Sequence, residues 1–461
     1  MASSSDSAAP DAAADTATVG IDALPHTVAL HIFALLPADA RARAALVCRA
    51  WRDAIAEPSV WTRLDLSLAS GVTVAVTDAV LRGAAARARG RVAYMVLPNK
   101  GRPGAADGFS MNALVEVVEA NAHSLRQLHC VYEYEAHESV IYVRDVELLA
   151  RAAPQLRVFC TDAQAPVAGA LRLLRKEAPF QALRLRHLEV FAAEDEDDDD
   201  DDADALALVA AMAAHTSLRH LCFNGLLLRT PAVLGAVAAA GTAIGLTRLR
   251  LHHCGLSSAS VPALLHLLRS GTLSTLWLNN DDEQLFDAPS GLQFADAVAA
   301  HQSLRRLNLM SMLFWNEPEA AAAVMRAVTG HRSLHALSVS MNDALDPVAA
   351  GAALGALVAA NTPALRELHC RDSVLGDAGL LPLFEALPHN THLQLLSCFN
   401  TGMSQAFARD VFSPAVRANT SLRELEASES WAWGESDAPP EVLEAEALVA
   451  ARGQRDLLLI A

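Results

Sequence analysis

The chain repeats itself. The pattern L-x-x-L-x-[LVCFA] recurs at Leu125, Leu185, Leu218, Leu246, Leu273, Leu304, Leu334, Leu365, Leu393 and Leu422, with a weaker copy at Leu156, and successive copies lie 27 to 33 residues apart. A fixed period of this length marks a stack of like supersecondary units, and it overrides the one to three separate domains that 461 residues would otherwise suggest. Each hexad is strand-like, with offsets 0, +3 and +5 directed inward. The stretches between them are Ala- and Leu-rich with helical spacing, as in "TPAVLGAVAAAG" (230–241) and "GDAGLLPLFEALPHN" (376–390). Burying each inward side chain is worth about 1.5 to 3 kcal/mol, whereas ordering a unit costs about 1 to 2 kcal/mol per residue, so no single repeat folds alone. Stacking must supply the shared core.

Composition then removes several classes of function. Seven cysteines, none in C-x-x-C spacing, read as small buried hydrophobes of a reducing compartment, and neither a disulfide nor a zinc framework is expected. The net charge is −17, but ten acidic residues lie between Glu194 and Asp204, and without them it is −7. That run reads as a solvated loop. No basic patch interleaved with aromatics exists, so nucleic acid is not an expected partner. No apolar run is long enough for a membrane span, and the first twenty residues have no basic residue and no apolar block; they read as a disordered tail of a cytoplasmic or nuclear chain. Phosphate-binding, nucleophile-elbow and H-E-x-x-H motifs are absent, and "HHC" (252–254) spans opposite faces of a strand and its loop. The expectation is a non-enzyme without cofactor or metal.

"LTRLRLHHCGL" (246–256) fits L-x-x-L-x-L-x-x-[NC]-x-L throughout, and "LRELHCRDSVLGDAGL" (365–380) nearly so. On these residues the chain resembles the leucine-rich repeat family, in its long-period, ribonuclease-inhibitor-like branch. The resemblance covers about 110–430. It implies an α/β fold: a curved solenoid with a parallel sheet on the concave side and helices on the convex side. "WTRLDL" (61–66) and "VAYMVL" (92–97) keep the inward spacing and extend the sheet toward the N-terminus.

Before the repeats, residues 21–61 read as three short helices broken at Pro25, Pro37 and Pro58, with more apolar surface than about 40 residues can fold around. Either a partner or the first repeat must cover it. Leu24, Pro25, Val28, Ile32, Phe33, Leu36, Val47, Cys48, Trp51, Pro58 and Trp61 stand at the separations of an F-box, which the segment resembles. Arg41, Ala42 and Ala44 occupy positions where that family often has Leu. The resemblance implies that Leu24, Pro25, Val28, Ile32, Phe33, Leu36 and Val47 bind the Skp-type adaptor of a cullin-RING ubiquitin ligase, with Trp51 and Trp61 packed inside. The other reading is a helical cap on the repeat core of an interaction scaffold outside any ligase.

In each repeat strand, offsets +2, +4 and +6 face outward, onto the surface that solenoids use for binding. The band Arg250, His252, Trp277, Asn279, Asn308, His369 and Arg371 combines an aromatic with hydrogen-bonding groups and is the expected site for a protein substrate. Arg at offset +1 (126, 157, 186, 219, 305, 366, 423) is expected to bond helix C-terminal carbonyls instead. Trp431 and Trp433 are expected to cap the last repeat. The organisation is a tail (1–20), an F-box (21–61), linking or degenerate first repeats (62–110), leucine-rich repeats (111–435) carrying the acidic loop 194–204, and a C-terminal cap (436–461). The expected function is substrate recognition in a ubiquitin ligase.

Overall fold

The computed structural model describes residues 24–36, 38–66, 76–97, 109–130, 141–192, 201–213, 215–226, 228, 230–280, 283–428 and 438–460. The opening tail, the acidic run up to residue 200 and the Trp431/Trp433 segment lie outside the described residues. The chain divides into two compact units, Met1–Glu133 with Leu149–Val158, and Tyr134–Leu148 with Phe159–Ala461.

The first unit opens with α1 (His26–Leu35), α2 (Ala38–Ala44) and α3 (Arg49–Ile55), followed by a 3-10 turn, Pro58–Trp61. Pro25 precedes α1 as its N-cap, and the Cys48 thiol caps α3 by accepting the Trp51 N–H at 3.5 Å. Phe33, Ile55, Val60 and Trp61 make the core. The Trp61 indole donates to the Ile55 carbonyl at 2.6 Å, and the helix Asp78–Ala88 packs on the Pro58–Trp61 turn and brings the Arg87 guanidinium to 5.0 Å from the Trp61 ring. Part of the surplus apolar surface is thus covered by the chain itself. Three strands follow in parallel register: β1 (Arg63–Asp65) with β2 (Tyr94–Val96), and β2 with β3 (Gln127–Cys130).

Arg41 holds this unit together from inside. It is fully buried, and its guanidinium donates to the carbonyls of Leu36 (2.8 Å), Val60 (2.9 Å), Ala34 (3.2 Å) and Arg63 (2.6 Å) while lying 5.1 Å from the Trp61 ring. Burial lowers its pKa to about 10, partly offset by Asp65 and reinforced by Arg63, so it remains a cation at neutral pH. Arg41 thus ties α1, its own helix α2, the 3-10 turn and the first strand to one charged fork.

In the second unit, β4 (Ile141–Tyr142) pairs with β5 (Val158–Pro166). From β5 onward the strands pair in parallel and in chain order: β6 (Leu183–Phe191), β7 (His220–Asn224), β8 (Arg248–His252), β9 (Thr275–Asn279), β10 (Arg306–Met310), β11 (Ala336–Ser338), β12 (Glu367–His369), β13 (Leu395–Ser397) and β14 (Glu424–Glu426). A helix precedes each rung from β7 to β12 and packs on its sequential neighbours, which is the long-period repeat architecture expected from the spacing. The hexad positions 0, +3 and +5 are buried in every regular copy, as at Leu246, Leu249 and Leu251 or Leu304, Leu307 and Leu309. The degenerate copy at Leu156 coincides with a register shift between Thr161 and Asp162.

Two sets of side-chain bonds recur along the repeats. At offset −3, His301 and His331 each turn Nδ1 toward two backbone N–H groups (Ser303 and Leu304 at 3.1 and 2.9 Å; Ser333 and Leu334 at 3.3 and 3.0 Å). The Asn390 and Asn419 carboxamide oxygens do the same for His392 and Leu393, and for Ser421 and Leu422. At the strand exits, the Cys254 thiol reaches the His252 carbonyl at 3.2 Å, and Asn342 bonds five backbone groups across neighbouring rungs. At offset +7 the chain leaves the strand through a left-handed residue: Gly225, His253, Ser311, Met341, Asp372 and Asn400 all have φ between 47° and 73°. Of the offset +1 arginines, Arg219 reaches the last carbonyl of the helix Pro231–Ile244 at 2.9 Å, whereas Arg126 and Arg423 bond turn carbonyls.

The helices Pro347–Ala359 and Gly376–Ala386 touch through glycine: a Cβ on Gly351 would fall on the Gly379 carbonyl, and one on Gly355 would meet Pro382 at 2.7 Å. Gly351→Ala is expected to push the two helices apart and lower stability by about 1–3 kcal/mol, checked by denaturant unfolding. At the C-terminus the helix Pro440–Ile460 packs on β14. Glu446 accepts the N–H groups of Ala427 and Ser428 at 2.7 and 2.8 Å, and Val442, Ala445 and Val449 are buried.

Candidate functional site

Two surfaces carry the chemistry expected from the sequence, one in each unit. In the first, Val28 (42% exposed), Leu35 (66%), Leu46 (78%) and Val47 (64%) leave a large apolar area in water. Pro25 is exposed, and Leu24, Ile32 and Leu36 are half-buried. Phe33 corrects the expectation. It is 2% exposed and lies edge-on to Trp51 with centroids 5.4 Å apart, because an aromatic ring at that helix position faces α3. It supports the face from beneath. Leu35 and Leu46 were not among the expected contacts; their signal was Leu35 two helical turns after Val28 and Leu46 beside Val47.

In the second unit the +4 positions form one continuous row across paired strands: Glu189, Cys222, Arg250, Trp277, Asn308, Ser338, His369, Ser397 and Glu426. Neighbours in such a row are about 4.8 Å apart. The middle of the row opens into a groove of about 240 Å³ lined by Arg250, Trp277, Asn308, His369 and Arg371. His252 and Asn279 lie outside it. Both are nearly buried, with the His252 ring 5.3 Å from Trp277 as backing for the indole. The Arg250 guanidinium sits 4.6 Å from the Trp277 ring, a cation–π contact that fixes both.

The electrostatics of the groove are lopsided. Its lining has four arginines (248, 250, 306, 371) against two glutamates (367, 426), an excess of two positive charges in a chain of net −17. Arg306 pairs with Glu367 at 3.3 Å. Arg371 rests 5.3 Å from the Phe399 ring and has no carboxylate at ion-pair distance among the described residues. Burial holds His369 down to about 4, against the pull of Glu426 and with help from Arg371 and Arg306, so it is neutral at pH 7. The buried oxygens Asn308 Oδ1 and Ser397 Oγ have no hydrogen-bond partner among the described residues. Burial also drives the thiols of Cys222 and Cys398 upward and Cys370 to about 12, which leaves them poor nucleophiles. Among the described residues no three potential metal ligands come together, and no helix is long and apolar enough to cross a membrane.

Comparison with known proteins agrees with the helical segment. Residues 21–67 match the F-box-like family model, so an F-box-like domain opens the chain. No curated protein sequence matches. Among solved structures the chain is similar to one described as the crystal structure of the Rad7 and Elc1 complex in yeast, at 13% identity, covering 82% of this chain and 89% of that one with a TM-score of 0.46.

Proposed function

We propose that this chain is the substrate-recognition subunit of a cullin-RING ubiquitin ligase, an F-box protein whose helical domain docks on a Skp-type adaptor and, through it, a cullin. The outer face of its repeat sheet then holds a protein substrate. The supporting observation is an F-box-like domain at residues 21–67 that leaves Val28, Leu35, Leu46 and Val47 in water although its other side is packed. A domain with no outside partner would not keep four such side chains exposed on so small a body. In this reading residues 21–61 bind the adaptor, 62–110 link, 111–435 are the receptor and 436–461 close it; Arg250, His252, Trp277, Asn279, Asn308, His369 and Arg371 form or back the substrate face. The chain itself is non-catalytic and works in the cytoplasm or nucleus.

Val47→Asp is expected to weaken binding to purified Skp-type adaptor about thirtyfold, or about 2 kcal/mol, with unchanged thermal unfolding because the side chain is exposed. Titration calorimetry reads the affinity. A folded wild-type chain that fails to bind adaptor overturns the proposal. That result would favour the second reading, an interaction scaffold with a helical cap, for which the packing of Trp61 beneath the helix Asp78–Ala88 speaks.

A further inference from the structure

The groove does not end at Arg371. Three residues beyond Ser338 and Arg371, both in its lining, stand Met341 and Val374, and both are exposed. The two loops are sewn together: Met341 N–H donates to the Arg371 carbonyl at 2.9 Å, Asn342 N–H to the Ser373 hydroxyl at 3.2 Å, and Val374 N–H to Asp343 at 3.2 Å. Leu345, 80% exposed, and Val348 are further exposed apolar residues on the same loop and helix start. Met341 bears a cost besides its exposure, for its φ of 55° is a left-handed conformation that favours Gly or Asn over a long apolar side chain. At the same offset other repeats place Gly225, His253, Ser311, Asp372 and Asn400, none of them apolar and long. An exposed apolar residue held where a turn former would be more stable calls for a reason outside folding.

We propose that groove and pad together form a two-point site for an extended acidic peptide: a side-chain carboxylate of the peptide binds Arg371, and an adjacent apolar residue lies on Met341, Leu345 and Val374. The inference rests on reading the outer sheet face as the substrate surface and specifies what that surface selects. Charge complementarity decides the occupant. Arg371 lacks a carboxylate partner among the described residues, and the groove has surplus positive charge. Trp277, held flat by Arg250, provides a face for the peptide to cross.

The test uses the full-length chain and a phage-displayed random dodecapeptide library. Recovered peptides are expected to be enriched in Asp or Glu within a few positions of Leu, Ile, Met or Phe. A synthetic peptide of the recovered consensus should lose at least tenfold in affinity for Arg371→Glu, and about fivefold for Leu345→Ser and Met341→Asn. It should also bind more weakly as salt rises. Met341→Asn separates a binding role from a structural one: its unfolding midpoint should be unchanged or higher while its affinity falls. Recovery of basic or uncharged peptides, no enrichment, or wild-type affinity in Met341→Asn and Leu345→Ser would overturn the inference. Adaptor binding is measured on the same preparations. Intact adaptor binding without acidic–apolar enrichment removes this inference alone, whereas a folded chain that does not bind adaptor removes the ligase reading.

Discussion

Arg41→Leu is expected to lower the stability of the first unit by about 3–5 kcal/mol, although it installs a residue that the F-box family often has at that position. The substitution removes four donated hydrogen bonds at once, and the Val60 carbonyl that it abandons is buried, beyond the reach of compensating water. Leucine also forfeits the contact with the Trp61 ring. Arg41→Lys should recover only part of the loss, because one ammonium cannot reach carbonyls on two helical segments and a strand in the way a planar fork does. Hydrogen exchange is the measurement: amides of residues 38–66 should exchange much faster in Arg41→Leu, while those of β8–β12 keep their wild-type protection. Equal protection throughout would show that the buried fork is not what holds the helices.

The second large effect is on acid stability. Burial depresses His220 to about 3, helped by Arg248, Arg186 and Arg250, and holds His369 near 4, while His187 is lowered by burial and then by His220 and its arginine neighbours. For a histidine whose folded pKa lies below its unfolded value of about 6.5, the unfolded chain binds more protons in between. The stabilisation is therefore complete above about pH 6.5 and drains away as pH falls. At pH 5, His220 and His369 should each have cost about 2 kcal/mol, on the basis of about 1.4 kcal/mol per pH unit. His301 and His331, also lowered by burial, act in the same direction, since protonating Nδ1 turns an acceptor of two N–H groups into a donor that faces them. The urea midpoint should fall steadily between pH 7 and pH 5, and a His220→Gln, His369→Gln variant should show a shallower slope. A flat profile would mean that these side chains reach water in the folded state.

How much of this was legible in the sequence follows from where each kind of information resides. The hexad leucines announced their burial because a strand's inward side is a matter of period alone, and Leu249, Leu276 and Leu307 are buried at 0–1% exposure. The outward row was readable for the same reason, which is why Arg250, Trp277, Asn308, His369 and Arg371 were found together. His252 and Asn279 share the outward side but stand toward the strand exit, and periodicity gives no depth along a strand. Arg41 was unreadable because its worth depends on four carbonyls that only the folded chain brings together. The recurring His and Asn bonds did leave a trace, "HQSL" (301–304), "HRSL" (331–334), "NTHL" (390–393) and "NTSL" (419–422), but His and Asn look like solvated turn residues until their backbone partners are known. The pad at Met341, Leu345 and Val374 was hidden in loops, where no period applies.

The helix that lies against β14 has a consequence beyond capping. A terminal strand with unpaired backbone groups is a template, and a protein built of interchangeable rungs is unusually exposed to end-to-end polymerisation through it. Here the Glu446 carboxylate already occupies the N–H groups of Ala427 and Ser428, and buried Val442, Ala445 and Val449 bar the approach of a second molecule. A second molecule could add its own strand to β14 only by first displacing this helix.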